Sequence, residues 1–399
     1  MQPADPRRGR VARSHTVAAA AFRLAGGFIA WSMGWAVVVA VRGGVWWGPL
    51  HTFMVGAVLL AISGATQLFT VTWAAAVPAD RRAAGAQRWV LAVGAVAAVM
   101  GVTFGLEWLV AIGAVLVLGG LGLLGWILVG VIRRSLLRRF DIASRFYLLA
   151  VGSGLVGVTL GWILGAEAAG AAHLDIRTAH MHLNLIGLVG FTIVGTLPTI
   201  LPTTVRHPMV SGKEAVSAWW GSAAAAVAMA SGMVSGPVPV GVGVALAAVA
   251  GAAILGGIVG RLGIGKVARA GFPALMIATG AGWLLAWMGH QAVTLIGGDH
   301  TVYGPWVAVG VAGVAMVLFG SLSYLVPVLV GGGGDALTAN FGRLHGWGTP
   351  RAIVATAVPV AVLVGAPAVV PLGLAAVFVV DFAIRVIRVL AARRTVSSG

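Results

Sequence analysis

The sequence predicts an all-α polytopic membrane protein of about twelve transmembrane helices, and three observations lead to this fold class. Hydrophobic residues make up 59% of the 399 residues, whereas charged residues make up only 9%. The apolar residues form runs that reach the roughly 20 residues a helix needs to cross a bilayer. The basic residues lie in short clusters between these runs. A soluble domain of this length does not have such a composition.

Twelve apolar runs can be placed along the chain as spanning helices. Their approximate limits are 17–41, 50–77, 88–104, 108–132, 146–166, 178–203, 215–235, 238–260, 270–296, 302–330, 350–367 and 370–391. The first run is much longer than the apolar region of a signal peptide, so we expect it to be retained. Residues 1–16 are predicted to be a basic cytoplasmic N-terminus, 17–391 a single transmembrane domain and 392–399 a cytoplasmic tail.

Basic residues cluster in alternate loops between the predicted helices. One set of loops and loop edges contains Arg81, Arg82, Arg88, Arg133, Arg134, Arg138, Arg139, Arg206, Lys213, Arg261, Lys266, Arg269, Arg343 and Arg351. By the positive-inside rule this set is cytoplasmic, as are both termini, and we expect a bacterial cytoplasmic membrane. The net charge of +16 is therefore interpreted as a topology signal and not as a sign of nucleic-acid binding.

A histidine followed by two glycines recurs at identical spacing in the second and sixth predicted helices. The two sets are His51, Gly56 and Gly64, and His182, Gly187 and Gly195. The interval from Gly195 to Pro202 recurs from Gly320 to Pro327, with Val307 at the histidine position. The same alignment pairs Trp35, Trp162 and Trp283 in the preceding helices. These recurrences predict three pseudo-symmetric four-helix units, at about 17–132, 146–260 and 270–391.

Histidine is the residue type on which any soft-metal chemistry of this chain depends. The sequence has no cysteine, which excludes disulfides, iron–sulfur clusters and thiolate-bound haem or copper within the chain. Six of the nine histidines lie at or near the outer side in the predicted topology: His51, His173, His180, His182, His290 and His300. A charged side chain inside a membrane helix costs about 2.5–3.5 kcal/mol, so ionisable residues there commonly face the interior and have a function.

His180 and His182 are two residues apart, so on a helix they point roughly 200° away from each other. They cannot bind the same ion, and a helix carrying both is expected to serve one site on each flank. A haem suits this arrangement, because its iron accepts one axial histidine from each side. Arg42 and Arg177 are the outward arginines available for haem propionates. His290 and His300 are candidates for further metal ligands.

The predicted architecture, with outward-side histidines on the second and sixth helices, resembles subunit I of the haem-copper oxidases. More locally, "HTFMVGAVLLAISGATQLF" and "HMHLNLIGLVGFTIVGTLPTILPT" look like membrane regions of the NnrS-like branch and of actinobacterial domains associated with multicopper oxidases. The resemblance implies haem b, with His51 and either His180 or His182 as axial ligands. It also leaves room for copper at the remaining histidines.

The chain also departs from the oxidase pattern. The seventh predicted helix lacks the double histidine that binds copper in the oxidases, and no tyrosine follows His182 at the family's position. Acidic residues are almost confined to loops and helix ends, so we do not expect proton pumping. The family's His-x-His pair lies on the tenth helix, whereas His180 and His182 lie on the predicted sixth.

These observations predict a membrane protein that binds haem b, with copper as a possible second metal. The predicted role is electron transfer or the chemistry of a small gas such as NO or O2. Two other functions stay open from the sequence: a copper-homeostasis partner of an outer multicopper oxidase, and a histidine-dependent metal-ion transporter. The expected partners are the lipid bilayer and a redox or multicopper-oxidase protein on the outer side. Self-association stays open as well.

Overall fold

The computed structural model describes residues 6–135, 141–209, 213–300, 304–331 and 334–397. Regular structure within these ranges is helical, with no strand, so the predicted all-α class is confirmed. The chain divides into two compact units. The first comprises Met1–Thr196, Ser211–Ala250 and Gln291–Val302; the second comprises Leu197–Val210, Gly251–His290 and Tyr303–Gly399. Each unit is described by itself.

The helices of the described residues are long and are joined by short connections. They are α1 (Pro6–Arg42), α2 (Trp47–Ala74), α3 (Arg81–Phe104), α4 (Glu107–Arg133), α5 (Asp141–Gly165), α6 (Gly170–Thr204), α7 (Lys213–Ser235), α8 (Pro237–Leu262), α9 (Ile264–Arg269), α10 (Phe272–Ile296), α11 (Pro305–Val330), α12 (Gly334–His345), α13 (Gly348–Leu363) and α14 (Val369–Ser397).

Ten helices in the described part of the chain are long and apolar enough to cross a membrane. The protein therefore has the make-up of a polytopic membrane protein. Two predicted spans correspond to helices outside this group: α7, of 23 residues, and α13, of only 16. A total of twelve spans stays a prediction. α1 begins at Pro6 and α14 extends to Ser397, so the helices continue into both segments that were predicted to be terminal tails.

In the first unit, α3 and α4 pack through glycines that bring their backbones together. A Cβ atom on Gly113 would clash with the backbone of Ala98. A Cβ on Gly101 would lie 2.6 Å from the backbone nitrogen of Val110. Small residues allow this approach, which matters in a membrane because burial in lipid supplies little hydrophobic force between helices.

Glycines also set the packing of α2 on α1. Gly56 lies against the ring of Phe28, which a Cβ at position 56 would overlap. About two turns further along α2, a Cβ on Gly64 would lie 2.8 Å from the Cβ of Ala21 and 3.4 Å from the carbonyl oxygen of Ala18. The two glycines of the sequence repeat are thus the contact points of this helix pair.

The packing of α6 on α5 uses the corresponding positions. A Cβ on Gly187 would lie 2.6 Å from the Cβ of Ser153, and a Cβ on Gly195 would lie 2.6 Å from that of Phe146 and 3.3 Å from the oxygen of Ala143. The partners on α5 have the same spacing as the partners on α1, namely seven residues and then three. The sequence repeat between the second and sixth helices therefore corresponds to a repeated helix contact.

The glycine contacts fix a register between α1 and α5 that differs from the tryptophan alignment. They bring Phe28 into correspondence with Ser153, which places Trp35 opposite Leu160 and not opposite Trp162. The predicted alignment of Trp35 with Trp162 is thus displaced by two residues. The arrangement in three units stays a prediction.

Both repeated helices change their winding directly after the repeated histidine. In α2, residues Thr52–Val58 form a π-helical segment that follows His51. In α6, residues Leu183–Gly190 form one that follows His182. π-Helical turns are rare and are frequently found at functional sites. The repeat therefore extends to the backbone conformation beside each histidine.

We predict that Gly113→Ala destabilises the protein, because the new Cβ would meet the backbone of Ala98, which cannot move aside as a side chain can. The expected cost is about 1–3 kcal/mol, measured as a lower thermal unfolding midpoint of the purified protein in detergent. Gly119→Ala, on the same helix, is the matched control, since nothing lies within 4 Å of a Cβ there. Equal midpoints for the two variants would contradict the close packing of α3 on α4.

In the second unit, Pro327 interrupts the hydrogen bonding of α11. Proline has no backbone N–H, so the carbonyl of Ser323, four residues earlier, loses its usual helical donor. The Nε2–H of His345 donates to this carbonyl at 3.1 Å. Burial lowers the pKa of His345, as does the charge of Arg351, while the bond to the Ser323 carbonyl opposes the shift. His345 thus ties α12 to the interrupted turn of α11.

We predict that His345→Ala lowers the unfolding midpoint, since it leaves the buried Ser323 carbonyl without a donor at a cost of about 1–3 kcal/mol. The pKa of folded His345 lies below its ordinary value of 6.5, so the unfolded chain binds the proton more readily. The contribution of neutral His345 is therefore complete above pH 6.5 and declines as the pH falls below it.

The difference in midpoint between the wild type and His345→Ala should accordingly narrow on acidification. The control is His173→Ala, which alters an exposed histidine of the first unit. A midpoint difference that is absent at neutral pH, or that widens towards acid pH, would show that the Ser323 contact is not the source of the effect.

Candidate functional site

His51 is held by its own helix, one turn from the start of α2. Its Nδ1–H donates to the carbonyl oxygen of Trp47 at 2.9 Å. Its ring stacks on the ring of Trp47, with centroids 4.0 Å apart and planes inclined by 19°. A histidine that donates from Nδ1 keeps the lone pair on Nε2, which is the form that binds metals. The site therefore presents one neutral imidazole nitrogen from α2.

His180 on α6 is held by α5. Its Nδ1–H donates to the carbonyl oxygen of Gly157 at 2.8 Å, so its Nε2 also keeps the lone pair. A Cβ on Gly161 would lie 2.5 Å from Cε1 of the imidazole, which shows how closely the ring lies against α5. The amide nitrogen of Asn184 donates to the His180 carbonyl at 2.8 Å and lies 3.3 Å from its Nδ1.

His51 and His180 lie close together within the first unit. Their ring centroids are 6.5 Å apart and their planes are inclined by only 11°. Two imidazoles that bind one metal ion from opposite sides have ring centroids about 6 Å apart, because each metal–nitrogen bond is about 2.0–2.1 Å long. Both side chains are half-buried. The structure thus brings together two predicted ligands at a spacing that suits a shared metal.

His182 belongs to the other flank of α6. It is fully buried, and its Nδ1–H donates to the carbonyl oxygen of Thr178 at 2.8 Å. The side chain of Gln291, also buried, lies beside its ring and interacts with it. His180 and His182 therefore have different neighbours, as their spacing predicts. The partner of His51 is His180, although the sequence repeat makes His182 the equivalent of His51.

The other predicted ligands have neighbours of their own. His300, in the first unit, has its Nδ1 3.6 Å from a carboxylate oxygen of Asp175, with each side chain 31% exposed. His290 belongs to the second unit, where its ring stacks on Trp306 with centroids 4.4 Å apart. Among the described residues, no three histidine, aspartate or glutamate side chains form a group that could hold a metal ion. The donor set of the pair is thus two imidazoles.

The two arginines predicted for haem propionates lie on helices of the same unit. Arg42 is exposed and is the last residue of α1. Arg177 is partly buried on α6, one turn before His180. Arg177 is therefore on the helix that carries His180, and Arg42 is on α1, which packs against the helix that carries His51.

Three features of the site were missed from the sequence. They are the stacking of Trp47 on His51, the close contact of Gly161 with His180, and the position of Gln291 beside His182. Gly157 and Gly161 are spaced by four, a pattern typical of close helix contacts, and this signal could have indicated that α5 supports α6. Trp47 lies four residues before His51, and helix spacing could have indicated that contact. The contact of Gln291 with His182 depends on the tertiary fold.

Comparison with known proteins assigns no family to this chain, since no protein-family model and no curated protein matches its sequence.

Proposed function

We propose that this protein binds haem b within the membrane, with His51 and His180 as the two axial ligands. The observation that carries the proposal is the pair of near-parallel imidazoles on two different helices, 6.5 Å apart. Haem iron takes one axial ligand on each face of the macrocycle, and histidine is a common axial ligand. A pair of histidines is sufficient for such a site, in contrast to the three or more ligands that a protein usually supplies to zinc.

The chemistry of the donors fits this group. Each imidazole donates its Nδ1–H to a backbone carbonyl, of Trp47 for His51 and of Gly157 for His180. Such a bond fixes the ring orientation, leaves Nε2 as the donor to iron and increases its basicity. Neither carbonyl can be lost by a change of side chain, so the orientation depends on the backbone of α2 and α5.

Surrounding residues hold these two rings in place. Trp47 covers one face of His51, while Asn184 fixes the backbone from which His180 projects. When bound, haem b supplies an iron that exchanges single electrons, with a potential set by its ligands and by the polarity around them. Arg42 and Arg177 are proposed to pair with the propionates, because guanidinium groups bind carboxylates through two parallel hydrogen bonds.

We further propose electron transfer or small-gas chemistry in a bacterial cytoplasmic membrane, in a protein akin to subunit I of the haem-copper oxidases. The basic loops support a topology of twelve spans with both termini in the cytoplasm. In that topology His51 and His180 lie towards the outer side, where a redox or multicopper-oxidase partner would exchange electrons. The kinship rests on analogy of architecture and site.

The first test is the absorbance spectrum of the full-length protein, purified in detergent from haem-replete cells. We expect a Soret band and, on reduction, a sharp α band from a six-coordinate haem with two histidines. His51→Ala and His180→Ala should each remove this signature, because each takes away one axial ligand. The control His173→Ala, at an exposed histidine, should leave it unchanged.

The variant His182→Ala distinguishes the proposed pair from the pair indicated by the sequence repeat. It should keep the six-coordinate signature, since His182 interacts with Thr178 and Gln291. If His182→Ala loses the signature and His180→Ala keeps it, His180 is not the ligand that pairs with His51. Colourless protein from haem-replete cells would contradict haem binding. Copper without haem on elemental analysis would favour the copper-homeostasis alternative.

A second test concerns the support of His180 by α5. Gly161→Ala would place a Cβ 2.5 Å from the imidazole, so we expect the ring to shift and the haem to become partly five-coordinate or to be lost. The readout is the low-spin fraction of the absorbance or electron paramagnetic resonance spectrum. Gly152→Ala on the same helix is the matched control, because a Cβ there meets nothing within 4 Å. An unaltered spectrum in Gly161→Ala would argue against His180 as a ligand.

A further inference from the structure

The second unit contains an ionic cluster that the proposed haem site does not use. Asp381 of α14 accepts from Nε of Arg385 at 2.9 Å, one turn along the same helix. Its other carboxylate oxygen lies 2.6 Å from Nε of Arg351, which belongs to α13. Two guanidinium groups therefore share a single carboxylate, and this cluster has an excess of positive charge.

Arg351 is the more deeply placed of the two arginines, with only 8% of its side chain exposed. Its Nη1 donates to the carbonyl oxygen of Leu344 at 2.7 Å, and its guanidinium lies 4.1 Å above the ring of Phe272. Its Nη2 is buried and has no hydrogen-bond acceptor among the residues that the structure describes. A buried donor without an acceptor is costly, and more so when it carries charge.

The backbone of a third arginine borders this cluster. Nη1 of Arg385 donates to the backbone carbonyl of Arg343 at 3.0 Å, and the exposed side chain of Arg343 donates to Asn340 at 2.9 Å. The sequence of the second unit contains only one acidic residue besides Asp381, which is the exposed Asp335 of α12. Within the described part of this unit, Asp381 is the acidic side chain that contacts Arg351 and Arg385, and it balances only one of their two charges.

We propose that this arginine cluster, formed by Arg351 and Arg385, binds a phosphate group, supplied by the headgroup of an anionic phospholipid. Guanidinium groups match phosphate oxygens in geometry and charge, and basic pockets between membrane helices bind anionic headgroups. Asp381 and Arg385 lie in the apolar span of α14, at 37% and 16% side-chain exposure, so the cluster is open towards the surroundings of that helix. Inorganic phosphate offers the same chemistry from the aqueous side.

The experiment uses the full-length protein in a neutral detergent and adds phosphatidylglycerol, phosphatidylcholine or inorganic phosphate in separate arms. Native mass spectrometry counts the bound lipids, and the unfolding midpoint reports stabilisation. We expect phosphatidylglycerol to bind and to raise the midpoint more than phosphatidylcholine does. A rise with inorganic phosphate alone would support the phosphate site and assign it to the soluble anion. No preference for either anion over phosphatidylcholine would overturn the proposal.

Variants test whether the arginine cluster is responsible. Arg385→Gln and Arg351→Lys should each weaken phosphatidylglycerol binding roughly five- to tenfold, since one removes a charge and the other removes the forked donor. Arg388→Gln is the matched control, as it removes an exposed charge one turn further along α14. Equal weakening by Arg388→Gln would overturn the proposal in favour of diffuse attraction to the surface.

Asp381→Asn separates a binding role from a purely structural one. It removes the carboxylate that competes for Arg351 and Arg385, so the lipid should bind more tightly even where the variant is less stable without lipid. A variant that binds the anionic lipid no better than the wild type, or more weakly, would show that the arginines serve only to hold α13 and α14 together.

Discussion

Close approach of helix backbones at glycines is the constraint on which the rest of this structure depends. In lipid, apolar side chains gain little by leaving the solvent, so helices are held by van der Waals packing and by hydrogen bonds. Gly113 on α4 and the pairs Gly56–Phe28 and Gly195–Phe146 define where neighbouring helices touch. These contacts fix the register of the helices. The register in turn fixes the positions of the histidines of α2 and α6 along the helix axes.

The histidine pair arises from a difference between two otherwise similar helix pairs. In the register given by the glycine contacts, His180 occupies the position that Pro49 has in α2, and Gly157 the position of Ser32 in α1. The hydroxyl of Ser32 donates to the carbonyl of Pro49 at 2.7 Å, whereas the carbonyl of Gly157 accepts from the ring of His180 at 2.8 Å. The same place in the packing thus holds a structural contact in one pair and a candidate ligand in the other.

Several side-chain hydrogen bonds of this protein pair polar groups with backbone carbonyls inside the helical bundle. His345 supplies the donor that Pro327 removes from Ser323, and each ring of the histidine pair donates to a backbone carbonyl. In a medium without water, an unpaired backbone or side-chain group costs several kcal/mol, at about the scale of whole-protein stability margins. Arg351 is one of several buried groups that are not fully paired, because its Nη2 has no acceptor in the described part of the chain.

The sequence by itself determined the helical class, the membrane setting, the correspondence of His51 with His182 and the opposite directions of His180 and His182. Each follows from local rules: the length of apolar runs, identical spacing, and the angle between residues on a helix. Only the tertiary structure decided that His51 meets His180, that α5 supports this ring through Gly157 and Gly161, and that Gln291 lies beside His182. These pairings join residues far apart in the chain and depend on helix register. Glycine spacing in the sequence indicates which helix faces can pack closely, but it does not identify the partner residues on the other helix.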